Sequence, residues 1–197
     1  MSASRLSIAA AALAVTALLI AGLVALAGSS SRGAARSPLT LAQMRARLSG
    51  SPPPLAALHS ESSLLLGGGL PALRARLAAL RGQPLVINKW ASWCAPCRAE
   101  AGAFQRASVA LGRQVAFIGL DSQEPSRGDG LAFMRSFPLS YPSYYDRDGA
   151  AGSAITDSSF TPVTVFFDRR GAQYIHQGPY PSQDKLEADI RRYALHG

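Results

Sequence analysis

Hydrophobic and polar positions divide the chain into three stretches. From Leu6 to Gly28, LSIAAAALAVTALLIAGLVALAG carries no charge and follows a single basic residue, Arg5. A run of that length can cross a ~30 Å hydrocarbon core as a helix. A cleaved signal peptide has a shorter apolar region, roughly 7–15 residues. An uncleaved signal anchor is therefore the expectation for residues 1–28, with membrane contact through residues 6–28. The alternative is a signal peptide cut after Ala27, at the small-x-small site Ala25-Leu26-Ala27. Residues 28–38 are rich in Ser, Gly and Arg and read as a tether. TLAQMRARL (40–48) can form a short helix, which SGSPPP then breaks. Residues 29–60 are accordingly expected to be a linker, and residues 61–197 a single globular domain.

Within that domain, Leu and Ala dominate up to residue 84, interrupted by GGG at 67–69. Pro71 suits a first helical position, and Leu73, Leu77 and Leu80 follow at helical spacing up to Gly82. From residue 84 the pattern alternates. PLVINKW (84–90) predicts a strand and Pro96–Leu111 a helix with Phe104, Ala107, Ser108 and Leu111 on one face. QVAFIGLD (114–121) predicts a second strand and GDGLAFMRSF (128–137) a helix. PSYYD is a short extended piece, and DGAAGSAI a helical turn. PVTVFFD (162–168) is a strand that RRG turns into AQYIHQG (172–178), its hairpin partner. Ser182 can cap a last helix with Leu186, Ile190, Tyr193 and Ala194 facing inward. This order implies an α/β domain, a mixed central sheet flanked by helices on both faces.

The net charge of +8 changes the picture less than its size suggests. Residues 1–84 hold eight arginines against one acid, Glu61, whereas residues 85–197 hold twelve basic and eleven acidic groups. The basicity sits beside the apolar run, as expected of membrane-surface contact. The domain shows no basic helix and no aromatic–basic interleave, which argues against nucleic acid as a partner.

The candidate chemistry lies in NKWASWCAPCRAE (88–100), which holds both cysteines of the chain. A C-x-x-C pair within a βαβ pattern reads as a thioredoxin-like redox motif. The strand ends just before Cys94 and the helix begins around Pro96, so Cys94 sits at a helix N-terminus. Unpaired N–H groups and the macrodipole favour an anion there and lower the thiol pKa below its free value of about 8.5. Pro96 suits the first turn, because it has no N–H to donate. Cys94 can attack a substrate disulfide, and Cys97, one turn deeper, can resolve the mixed disulfide. Three other readings stay open. A structural bridge across two residues constrains little chain entropy. A closed zinc site needs four ligands, and His59, His176 and His196 are scattered. Copper delivery would have His176 as its extra ligand.

PLVINKWASWCAPCRAE resembles the active-site strand and helix of TlpA/ResA-like thioredoxin-fold proteins, membrane-anchored thiol–disulfide oxidoreductases working outside the cytoplasmic membrane. FTPVTVFFDRRGAQYIHQGPY (160–180) resembles their cis-proline loop, strand and hairpin. The resemblance covers residues 82–181, with the family's central insertion at roughly 121–157. It implies a cis bond before Pro162 and a backbone at Thr161 that a substrate segment can pair with. It implies that Glu100 handles protons for the thiols, that Trp93 borders the nucleophile, and that Trp90 packs below it. Classical thioredoxins carry a buried acid where this chain has Asn88, which shifts the acid–base task to Glu100. Lys89 departs from the family, where an aromatic is usual. By alternation it shares a face with Leu85 and Ile87 and must pair or snorkel. Asp146, Asp148 and Asp168 read as turn residues.

The function this implies is reduction of disulfides in exported proteins, such as apoproteins of cytochrome c maturation. A membrane thiol donor is the implied partner, and no metal or other cofactor is expected. The alternatives are a disulfide-forming oxidase of the same fold and a non-catalytic copper-delivery module. Arg32, Arg36, Arg45 and Arg47 would place the C-terminal side in the cytoplasm by the positive-inside rule. That rule weakens for a long translocated domain, and on the resemblance the domain is expected outside the cytoplasm.

Overall fold

The computed structural model describes residues 38–197. The expected anchor at residues 6–28 lies outside them. Among the described residues no helix is long and apolar enough to cross a membrane.

The described chain opens with two short helices, the first expected from TLAQMRARL and the second not, and both pack on the domain where a linker was expected. Thr40 caps α1 (Leu41–Leu48) through a reciprocal box, its Oγ1 accepting the Gln43 N–H while Gln43 Oε1 accepts the Thr40 N–H. Pro53 and Pro54 open α2 (Pro53–Ser60), where a missing N–H costs nothing. Met44 and Leu48 of α1 and Leu55 and Leu58 of α2 are buried. The linker expectation for residues 40–60 is thus corrected. Each helix buries only one pair of apolar residues, too little for the sequence to show that it packs on the domain. Leu39 is tied to the domain as well, its N–H donating to Gln105 Oε1 at 3.0 Å. Leu58→Ala should cost about 3 kcal/mol in urea unfolding, since Leu58 is 1% exposed in the main core. A change within 0.5 kcal/mol (roughly the scatter of a surface site) would return residues 53–60 to linker status.

Strand β1 (Leu65–Leu66), which the sequence reading did not include, precedes elements that follow the predicted order: α3 (Gly69–Ala79), β2 (Leu85–Trp90), α4 (Ala95–Leu111), β3 (Ala116–Ser122) and α5 (Arg127–Ser136). Then come β4 (Ser143–Asp146), α6 (Ala150–Ile155), β5 (Val163–Phe167), β6 (Gln173–Gln177) and α7 (Gln183–Asp189), which runs on as a π-helical turn over Ile190–Leu195. Helix α3 starts at Gly69, two residues before Pro71, because Gly68 takes a left-handed conformation at φ 88° that starts the helix early. Ser182 caps α7 as expected, its side chain accepting the Lys185 N–H.

The strands form one sheet in the order β1-β4-β3-β2-β5-β6. The β1–β4, β4–β3 and β3–β2 pairs are parallel, whereas β2–β5 and β5–β6 are antiparallel. Strand β2 lies at the junction of the two halves with all six residues buried, so its C-terminal end points the cysteines from the middle of the sheet. Its side chains alternate between two cores. Leu85 and Ile87 pack with Leu55, Leu58, Leu73, Ile118, Val163 and Val165. Val86 packs on the other face with Phe104, Phe117, Phe166, Leu186 and Ile190. A third cluster joins Trp90 to both cysteines, Phe133 and Met134.

Candidate active site

The turn between β2 and α4 is held from both sides. The Ser92 N–H donates to Glu124 Oε2 at 2.7 Å, and the Ser92 carbonyl accepts from Arg98 Nη2 at 2.7 Å. The Arg98 guanidinium also lies 5.7 Å from the Phe133 ring centroid, a cation–π distance. Trp90 is buried, stacks on Phe133 at 4.5 Å and donates its indole N–H to Ser143 Oγ. Trp93 points outward, 56% exposed, with its indole N–H on the Gln123 carbonyl at 3.1 Å.

Cys94 is the N-cap of α4, and its sulfur accepts the Cys97 N–H at 3.2 Å. Pro96 occupies the first turn. The two cysteines are joined as a disulfide with Cα atoms 5.3 Å apart. Cys94 Sγ lies 3.6 Å from the Thr161 carbonyl oxygen. A disulfide sulfur has no hydrogen to give, so this is a packing contact, and a reduced Cys94 thiol could donate across it. The Thr161–Pro162 bond is cis, as the resemblance implied. Thr161 Oγ1 is buried without a hydrogen-bond partner.

Solvent access does not separate the two sulfurs, since Cys94 is 3% and Cys97 2% exposed in the oxidised state. What separates them is the helix end. Only Cys94 receives a backbone N–H at the positive pole of α4. Iodoacetamide should therefore label Cys94 at least about tenfold faster than Cys97 in the reduced protein near neutral pH, by mass spectrometry. Equal rates would remove the helix-end asymmetry from the account.

Glu100, one turn beyond Cys97, is 1% exposed. Its Oε1 accepts from Asn88 Nδ2 and its Oε2 from the Tyr180 N–H, both at 2.9 Å. Burial pushes its pKa up to about 7, and the two hydrogen bonds oppose that rise. Asn88 is thus the partner of Glu100, a contact the sequence did not reveal. A carboxyl that titrates near neutrality can both take and give a proton.

Asp121, paired with Trp90 across β2–β3, is a second buried carboxyl. Neither of its oxygens has a hydrogen-bond partner. Burial, then the charge of Glu124, pushes its pKa up to about 8. The sequence offered no signal for Glu124 or Arg98, because their roles come from contacts with the turn, nor for the buried carboxyl of Asp121. Tyr180 acts through its backbone, which no side-chain pattern encodes. Asp146, Asp148 and Asp168 accept backbone N–H groups at the starts of turns and of α6, matching their sequence reading. His176 stacks on Tyr180 at 4.2 Å.

A thiol pair at a strand-to-helix junction, faced by a cis-proline loop, prompts comparison with known proteins. Residues 73–190 match the family model described as Redoxin. The chain belongs to the Redoxin family. It is 28% identical over 122 residues to the thioredoxin-like protein YneN of Bacillus subtilis, covering 59% of this chain and 71% of that protein. It is 36% identical over 120 residues to the thiol:disulfide interchange protein DsbE of Allochromatium vinosum, covering 58% of this chain and 64% of that one. The chain thus spans less than two thirds of that DsbE. Among solved structures, it superposes on a secreted Mycobacterium tuberculosis disulfide oxidoreductase homologous to E. coli DsbE with a TM-score of 0.53. That match has 26% identity and covers 58% of this chain and 85% of the other. The fold is thioredoxin-like, and this Redoxin-family chain is a thiol–disulfide oxidoreductase whose two cysteines, Cys94 and Cys97, are joined to each other.

Proposed function

We propose that this Redoxin-family chain works as a reductase of disulfides in exported proteins, held at the membrane by residues 6–28 with its domain outside the cytoplasm. The observation that carries the reading is the Cys94 sulfur. It caps α4, accepts the Cys97 N–H at 3.2 Å and lies 3.6 Å from the carbonyl of Thr161. A substrate strand pairing with the Thr161 backbone would bring its own disulfide to that sulfur, alongside the exposed face of Trp93.

The reaction balances as two exchanges. The Cys94 thiolate attacks one substrate sulfur, breaks the substrate S–S bond and releases the other as a thiolate that takes a proton. Cys97 loses its proton and attacks Cys94, which frees the second substrate thiol and forms the Cys94–Cys97 disulfide. Glu100 is the proton carrier for this second step, because its pKa near 7 suits both directions of transfer. Substrate gains two electrons, and a membrane thiol donor returns them to the enzyme. Apocytochrome c cysteines are the substrate class that the resemblance of residues 84–100 and 160–180 to TlpA/ResA-like proteins implies.

The test is insulin reduction by the chain with dithiothreitol as electron donor, compared with dithiothreitol alone, together with the midpoint potential against a glutathione buffer. Turnover with a potential well below the extracytoplasmic poise is expected. A chain that fails to reduce insulin, or one whose potential lies near those of strong oxidants, around −120 mV, would end the reductase reading.

A further inference from the structure

Lys89 stands in the middle of the sheet, 2% exposed, on the face of β2 that otherwise carries Leu85 and Ile87. Burying an ammonium among aliphatic side chains costs several kcal/mol unless its hydrogens are used. A leucine there would carry no such cost, so what the ammonium touches is informative. Lys89 Nζ donates to the Ser158 carbonyl at 2.8 Å. Gly152 leaves room for its stem, since a Cβ there would come within 3.2 Å of Lys89 Cε. Asp146 supplies the nearby opposite charge that favours the ammonium, while burial lowers its pKa.

Ser158 lies three residues before Thr161, in a segment without helix or strand. Asp157, Ser159 and Phe160 are exposed. The segment borders a polar hollow of about 300 Å³, lined by Lys89, Gln123, Ser153 and Asp157 among others, so apolar packing does not hold it. Its other hydrogen bonds are local, from the Ser158 N–H to Thr156 Oγ1 and from the Phe160 N–H to Ser158 Oγ. Among the described residues, Lys89 is the one side chain of the sheet that hydrogen-bonds residues 157–160. Its Cα partner across β2–β5 is Val163, the residue after Pro162. One lysine therefore grips the loop that ends in the cis-proline from the strand that leads into the cysteines.

We propose that Lys89 is a positioning residue, holding the Ser158 carbonyl so that the Thr161 backbone is presented to a substrate polypeptide in register with Cys94. The proposal rests on the docking reading of Thr161 given above. It predicts a split between substrates. A peptide disulfide uses the loop, whereas a small aromatic disulfide needs only the sulfur.

In the full chain, Lys89→Met should raise KM for a peptide disulfide roughly tenfold, the loss expected for one charged hydrogen bond, and leave kcat within twofold. The rate with the small disulfide should stay within twofold, and Lys89→Arg should recover most of the peptide KM. Amide hydrogen exchange at residues 157–160 should speed up in Lys89→Met and not elsewhere in the sheet. Unchanged exchange at 157–160 overturns the anchor, whatever the kinetics. Faster exchange with an unchanged peptide KM overturns its part in docking, as does an equal loss with both disulfides. If the wild type itself gains nothing from a peptide over the small disulfide, the Thr161 docking reading fails, and the exchange data still report separately on the lysine.

Discussion

Cys94→Ser should abolish turnover, a loss on the order of 10³-fold or more. A hydroxyl at the start of α4 can still accept the Cys97 N–H, so the fold should survive. It cannot form the sulfur–sulfur bond that both exchanges require. Cys97→Ser should behave differently. Its Cys94 thiolate still attacks, but nothing resolves the product, so a covalent complex with substrate should build up on a non-reducing gel. Trapping by Cys97→Ser and not by Cys94→Ser assigns the attacking sulfur. The reverse pattern would exchange the two roles, and equal trapping would deny a fixed order.

Unfolding free energy of the oxidised protein should fall as pH rises from about 4 to about 8. Glu100 has a folded pKa raised to about 7 from 4.5, and Asp121 one raised to about 8 from 3.8. Between the lower and upper values the folded state holds a proton that the unfolded chain has lost. The folded state binds more protons, so stability drops with pH. Both contributions are fully present below the unfolded values and are lost as pH climbs through the folded ones. For Glu100 the loss is on the order of 3 kcal/mol. For Asp121, with no hydrogen bond to offset its burial, it is at least as large. Glu100→Gln and Asp121→Asn should each flatten the urea-unfolding profile across this window. A variant curve parallel to wild type would show that the replaced carboxyl does not titrate there. A wild-type profile that rises with pH would reverse the sign of the argument.

The sheet was legible because its central strands are runs of aliphatic residues bounded by turn signals. PLVINKW, QVAFIGLD and PVTVFFD each gave one strand, with ends within two residues of β2, β3 and β5. The cysteine pair was legible because a helix starts between the two thiols. The cis bond before Pro162 was not in the letters, since Thr-Pro opens trans strands equally well, and it came from the family resemblance. Helix α1 was legible in TLAQMRARL although its packing on the domain was not, and α2 escaped because it opens inside the proline run that reads as a break. The partners that make Glu100, Ser92 and Lys89 informative stand 80, 32 and 69 positions along the chain. Only the closed sheet brings them together, so local pattern could not supply them. Lys89 was visible as an anomaly of alternation, and its carbonyl partner was not.

Strand β2 has one parallel neighbour just after it in sequence and one antiparallel neighbour that begins only at Val163. A nascent chain leaving a ribosome or a translocase therefore exposes its two thiols long before the loop meant to face them has emerged. Such long-range closure is slow, and incomplete sheets invite wrong partners. Every newly made copy thus passes through an interval in which both sulfurs are unguarded, and how quickly its last fifth is delivered will set how many molecules mature without stray cross-links.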